Sequence, residues 1–156
     1  MYKRQTVDDV IRHQLPVVED IGTDVVLISV GANDTVHLTS PQLFVQLYRQ
    51  LIDGLVAAHV ERDHIVLVGV PDMGAPPRLA RPLRDIVGWR SRRLDQRVYE
   101  LAKETGTRYV DLFSGTSAPF RKHPSRYFAP DNYHPSDNGY LVWARAITPV
   151  AARICQ

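Results

Sequence analysis

The stretch from Asp24 to Asp34, Asp-Val-Val-Leu-Ile-Ser-Val-Gly-Ala-Asn-Asp, constrains the fold more than any other part of the chain. From Val25 to Val30 every residue except Ser29 is apolar, and Val and Ile dominate. A short apolar run without alternation suits a strand covered on both faces, as in a parallel sheet. The run stops at Gly31, and the polar side chains that follow are the amide of Asn33 and the carboxylate of Asp34. In open α/β sheets ligands bind outside the carboxyl ends of the strands, so these two residues would emerge at the working edge. Gly-Ala-Asn-Asp is also ordinary turn chemistry, and locally the two readings stand side by side.

The rest of the chain alternates around that strand. Thr6 can cap a helix with Asp8 and Asp9 in its first turn, where acids complement the dipole; Val7, Val10 and Ile11 give it an apolar stripe, and Pro16 ends or kinks it. Ser40-Pro41 starts a second helix, whose apolar pairs from Leu43-Phe44 to Leu55-Val56 make a broad buried face. His64–Val70 is a second apolar strand, ended by Pro71. Residues 71–83 hold Pro71, Pro76, Pro77, Pro82 and Gly74, and predict an irregular loop. Helical spacing returns over Leu83–Thr105 and closes at Gly106. Thr107–Leu112 predicts a third strand and Phe113–Pro130 a polar loop. A last helix is expected from Pro135 and Ser136, with Pro149 bending or fraying its end. Such alternation predicts one α/β domain over residues 1–156, a parallel sheet with helices on both faces.

Composition narrows the function classes. Hydrophobic residues at 44% and charged residues at 23% fit a folded globular domain and exclude disorder as the main state. A net charge of +2 is too small to argue for nucleic acid or an anionic membrane as a partner. The lone cysteine, Cys155, excludes an internal disulfide and a cysteine metal cluster. No apolar run approaches the roughly 18 residues of a membrane span, and the first ten residues lack the core of a signal peptide. A cytoplasmic protein is the default expectation.

A second informative stretch is Asp131-Asn132-Tyr133-His134-Pro135-Ser136. Asp and His three apart in a turn can point the same way. A carboxylate that accepts from one imidazole nitrogen fixes the tautomer and leaves the other nitrogen free as a base. The plainer reading is a helix start with a surface histidine. A metal pair lacks a third and fourth ligand, so no metal is expected.

Both motifs fall at or beyond the carboxyl ends of expected strands, in an order that resembles the SGNH (GDSL-type) hydrolases. Gly31-Ala32-Asn33-Asp34 resembles their Gly-x-Asn-Asp block, and Asp131-Asn132-Tyr133-His134-Pro135 resembles their Asp-x-x-His-Pro block. Val70-Pro71-Asp72-Met73-Gly74 resembles the loop many members carry between the two. The resemblance implies a three-layer α/β/α, flavodoxin-like fold and a serine ester hydrolase. It implies His134 as general base, Asp131 as its orienting carboxylate and Asn33 as an oxyanion donor. Asp34, Tyr133 and Met73 would lie at the substrate cleft, with Asp34 holding the turn rather than reacting. The partner implied is a small-molecule ester, with no cofactor.

One block of that family is missing. No Gly-Asp-Ser occurs anywhere in the sequence, so the resemblance leaves the nucleophile unassigned. Ser29, Ser40, Ser91, Ser114, Ser117, Ser125 and Ser136 sit in poor positions for it. The expectation is an N-terminally incomplete hydrolase domain lacking its first two strands. Strand 25–30 would then be an open apolar edge, prone to homo-dimerisation or aggregation. A catalytically inactive ligand-binding module that keeps the cleft is the alternative.

Three further features are open to simple readings. The seven arginines between Arg78 and Arg97 fit a solvated helix face, or else Arg78 and Arg81 recognise an anionic ester. Tyr133, Tyr127, Phe128 and Trp89 could wall an acyl or sugar site, but core packing is the expectation for Trp89 and Trp143. His37 is expected at the surface.

Overall fold

A computed structural model describes residues 5–154; Cys155 lies outside them. Helices α1 (Val7–His13) and α2 (Leu15–Ile21) lead into strand β1 (Val26–Ile28). Helices α3 (Ala32–Val36) and α4 (Pro41–Ala57) precede a 3-10 turn and strand β2 (Ile65–Val68). Helix α5 (Leu83–Thr105) connects to strand β3 (Arg108–Val110), after which come α6 (Leu112–Lys122), α7 (Pro124–Tyr127) and α8 (Asp137–Ala151).

The three strands form one parallel sheet in the order β1-β2-β3. Val26 lies opposite Ile65, and Val66 opposite Arg108. All four residues of β2 are buried, as a central parallel strand requires. On one side α4 buries Phe44, Tyr48, Leu51, Ile52 and Leu55, and these pack with Val7, Leu94 and Val98 into the main core. On the other side α6, α7 and α8 pack against one another and α8 lies on β2 and β3. A smaller apolar cluster there joins Phe120 and Phe128 to Trp143. The α/β architecture with helices on both faces is as the alternation predicts.

Local chemistry sets the element ends. Thr6 and Asp9 form a reciprocal capping box at the start of α1, satisfying backbone donors that the first turn leaves unpaired. Pro16 sits in the first turn of α2, where its missing N–H costs nothing; it separates two short helices. Ser40 caps α4 and Ser136 caps α8 through their hydroxyls.

Four sequence expectations need correction. Strand 25–30 shrinks to Val26–Ile28, and it is not covered on both faces, since Leu27 is 45% exposed. The Asn33–Asp34 turn is a one-turn helix, α3, begun by Gly31 in the left-handed region at φ 117°. The polar loop 113–130 contains α6 and α7. There Asp111 caps Ser114, and Leu112, Thr116 and Phe120 bury one face at helical spacing; the local Gly and Pro hide that period from a sequence reading. Trp89 is 57% exposed rather than core, with the Arg93 guanidinium 4.8 Å over its ring.

Asp95 is a buried acid of α5. Its Oδ1 accepts the Tyr109 hydroxyl at 2.9 Å, and a side chain at Gly69 would collide with that oxygen. Burial pushes its carboxyl up to about 7. The unfolded carboxyl titrates near 3.8, so between those values the native state holds more protons than the unfolded chain. Stability contributed by the protonated carboxyl is therefore complete at low pH and declines as pH rises through that window. We expect the denaturant midpoint of the wild type to fall relative to that of Asp95→Asn between about pH 4 and pH 7. Parallel profiles for the two proteins would contradict this.

Candidate active site

Parallel strands share an orientation, so their carboxyl ends meet on one rim. Asn33 leaves β1 at that rim on α3. Its side-chain Nδ2 donates to the Gln5 carbonyl at 2.9 Å. An amide nitrogen carries two hydrogens, so one donor remains for an incoming oxygen.

The turn that holds Asn33 is built by its neighbours. A side chain at Gly31 would collide with Val70 and crowd Phe44, so only glycine lets the strand turn this closely over the core. The Gly31 carbonyl accepts from both the backbone and the hydroxyl of Thr35, each at 3.0 Å. Asp34 is fully buried. Its carboxylate accepts from the Val7 N–H and the Thr39 hydroxyl, both at 3.2 Å, which ties α1 and the α3–α4 link to one turn. Burial is the main cause of its raised carboxyl pKa. Arg90 on α5 adds a clamp: its guanidinium donates to the carbonyls of Thr35 at 3.3 Å and Thr39 at 3.0 Å.

Asp131 and His134 form the second half. Asp131 Oδ1 accepts the backbone N–H groups of Tyr133 and His134, each at 3.0 Å. Its Oδ2 lies 2.5 Å from His134 Nδ1. That hydrogen bond, then the two backbone donors, hold the Asp131 carboxyl at about 2. An ionised carboxylate can only accept, so Nδ1 carries a proton, and in the neutral ring Nε2 then keeps its lone pair. The imidazole is largely exposed, leaving Nε2 open to a reactant.

The turn is fixed from both ends. Asn132 adopts φ 57°, and its N–H donates to the Ala129 carbonyl. The Ala129 N–H donates to the His134 carbonyl at 2.8 Å, and Phe128 pairs with Pro135 in an antiparallel bridge. The Tyr133 ring stands edge-on to the imidazole, 5.1 Å between centroids. The Arg78 N–H donates to the Asn132 carbonyl at 3.1 Å, joining this turn to the loop that leaves the carboxyl end of β2. Asn33 thus follows the carboxyl end of β1, and the His134 turn is tied to the loop that follows β2. No hydrogen bond links them directly among the described residues.

The remaining expected site residues fall differently. Asp34 and Met73 are buried, so they support the rim from behind rather than face a cleft. The Met73 N–H donates to the Ser91 hydroxyl. Tyr127 and Phe128 pack on Phe120. Among the described residues no serine hydroxyl hydrogen-bonds His134. Ser117 donates to Asp72, which Arg121 also grips through Nε at 2.6 Å and Nη2 at 3.0 Å. That bridge pins the β2 loop to α6, and the sequence reading missed it along with the Arg90 clamp. A groove of about 260 Å³ runs along the open side of β1 and is lined by Ser29, Val30, Asn33, Val10 and Leu15 among others.

Comparison with known proteins agrees with these motifs. The family model for GDSL-like lipase/acylhydrolases matches residues 3–142. The GDSL-like esterase Rv1075c of Mycobacterium tuberculosis is 31% identical over 126 residues, covering 78% of this chain and 38% of that protein. The chain thus spans well under half the length of this curated relative. A GDSL-like lipase from Bacteroides thetaiotaomicron superposes with a TM-score of 0.76 at 17% identity, over 96% of this chain and 72% of that one. The acetylxylan esterase Axe2 from Geobacillus stearothermophilus gives 0.67 at 23%, over 95% and 68%. At those identities the two structures speak for the three-layer fold alone.

The Asp131 carboxyl should titrate near 2 by carbon-detected NMR. In His134→Ala its midpoint should move up toward the ordinary carboxylate value, because the lost hydrogen bond is the largest cause of the shift. An unchanged midpoint would show that the imidazole does not hold the carboxylate.

Proposed function

We propose that this chain, which belongs to the GDSL-like lipase/acylhydrolase family, carries the base, its orienting carboxylate and one oxyanion donor of an ester hydrolase. The observation that carries this reading is the Asp131–His134 hydrogen bond at 2.5 Å. It leaves Nε2 as the free basic nitrogen, the arrangement that general-base catalysis of acyl transfer requires. His134 takes the proton of an attacking hydroxyl and returns it to the leaving alcohol. Asp131 holds the ring in one tautomer and stabilises the imidazolium that forms. Asn33 donates its free N–H to the oxyanion, a contribution worth about 10²–10³ in rate for one such donor.

The nucleophile is not assigned within residues 1–156. In this reading a serine from a Gly-Asp-Ser strand, supplied by a further segment, enters between Asn33 and His134. The open side of β1 supports that placement, because the groove there reaches Asn33. The second reading, an inactive module that binds ester-like ligands, is favoured by one observation. No serine hydroxyl among the described residues reaches His134. No cofactor enters either reading.

Hydrolysis of p-nitrophenyl acetate tests the assignment. The 156-residue chain is expected to show slow turnover that His134→Ala abolishes, with no serine labelled by a fluorophosphonate. Fusing an N-terminal segment with the family's Gly-Asp-Ser strand should raise kcat by about 10³ or more. Asn33→Ala should then lower kcat with little change in KM. Equal rates for wild type and His134→Ala would remove His134 as the base.

A further inference from the structure

The turn that carries Asp131 and His134 lies at the surface, and both residues are exposed. Burial therefore does not fix its shape, although Asn132 within it holds a left-handed φ of 57° that few residues other than glycine take. Two sets of backbone tethers hold it instead. One is the Arg78 N–H, which donates to the Asn132 carbonyl at 3.1 Å. The other is segment 126–129. The Ala129 N–H donates to the His134 carbonyl at 2.8 Å, and the Ser136 N–H donates to the Tyr127 carbonyl at 2.9 Å. The Ser136 hydroxyl donates to the Arg126 carbonyl at 2.7 Å.

Followed back along the chain, both tethers lead to one ion pair. Arg78 lies in the loop that leaves β2, six residues beyond Asp72. Segment 126–129 follows α6, which carries Arg121, and Phe120 beside it stacks on Tyr127. The Asp72 side chain is only 2% exposed, and four donors converge on it. Arg121 donates through Nε at 2.6 Å and Nη2 at 3.0 Å, the Gly74 N–H donates at 3.0 Å, and the Ser117 hydroxyl donates to the oxygen that takes Nε. The loop has little room to move around this point. A side chain at Gly74 would come within 2.8 Å of Gly88 Cα and 3.1 Å of Arg121 Nη2. Arg84 on α5 also donates to the Gly74 carbonyl at 2.7 Å. The bonds on Asp72 thus join the β2 loop to α6, and these two supports carry the two tethers of the turn.

We propose that Asp72 and Arg121 are a positioning pair for His134, setting the separation of the two tethers that shape its turn. The pair acts through the backbone of Asn132 and His134 and touches no reacting atom. Its value for catalysis rests on the hydrolase reading, whereas its hold on the turn does not.

The Asp131 carboxyl reports on the turn, because the His134 side chain and the backbone N–H groups of Tyr133 and His134 keep it at about 2. Its midpoint is read by carbon-detected NMR on the 156-residue chain. Asp72→Asn removes a negative charge, and the change of field alone would lower the Asp131 midpoint. The variant also sets an NH2 group against the donors around Asp72. Loss of positioning should therefore raise the midpoint to about 3 or above, a roughly tenfold weaker hold on the ionised form. Arg121→Lys keeps the charge but not the two-pronged grip. It should move the midpoint in the same direction, and it serves alone if Asp72→Asn does not fold. Ile52→Val, which thins the main core, should leave the midpoint near 2. A lowered or unchanged midpoint in folded Asp72→Asn, or an unchanged one in Arg121→Lys, would overturn the proposal. So would an equal rise in Ile52→Val. Absence of ester hydrolysis in the wild type would count against the hydrolase reading and would leave these midpoints as expected, so the two failures are read separately.

Discussion

Parallel pairing of three strands is the constraint on which the candidate site depends. Because β1, β2 and β3 run the same way, every connection that leaves a carboxyl end emerges on one rim. Gly31 after β1 and Val70 after β2 thus meet although they are far apart in the chain. The arrangement holds only while β2 stays buried, and it is covered by α5 on one side and α8 on the other. The rim is shaped by polar groups that the core cannot leave unpaired. Buried Asp34 collects the Val7 and Thr39 donors, and Asp72 collects Arg121, Ser117 and the Gly74 N–H. Leaving either set unpaired inside the protein would cost far more than an exposed contact returns.

Much of this was legible from residue patterns. The helix face from Phe44 to Leu55, the capping roles of Thr6, Ser40 and Ser136, and the Pro71 and Gly106 stops follow from local chemistry. So does the approach of Asp131 to His134, since three residues in a turn can place an acid beside an imidazole. What was not legible depends on tertiary partners. Helix α6 contains Gly115 and Pro119, which read as loop until Leu112, Thr116 and Phe120 find a surface to bury against. Trp89 looks like a core residue by type, yet its position on α5 faces away from the core. The Arg90 clamp leaves no local signature, because its acceptors are backbone carbonyls more than fifty residues away.

The family match and the geometry answer different questions. The family is shown by a model that matches residues 3–142, a span that includes the blocks around Asn33 and His134. Those blocks say which chemistry to look for; the hydrogen bonds say whether the groups are poised for it. Asp131 is held ionised by one imidazole donor and two backbone donors. Asn33 is held by a single carbonyl, with capacity to spare. Both groups are therefore oriented by bonds that do not require a ligand to be present, as the proposed electrostatic catalysis would need.

The central claim is that His134 offers a bare Nε2 because Asp131 keeps the proton on Nδ1. Nitrogen-15 chemical shifts of the neutral His134 ring test this most directly. The account predicts a protonated, pyrrole-type Nδ1 and an unprotonated, pyridine-type Nε2, with loss of that preference in Asp131→Ala. A ring protonated on Nε2, or an even mixture of tautomers in the wild type, would contradict it.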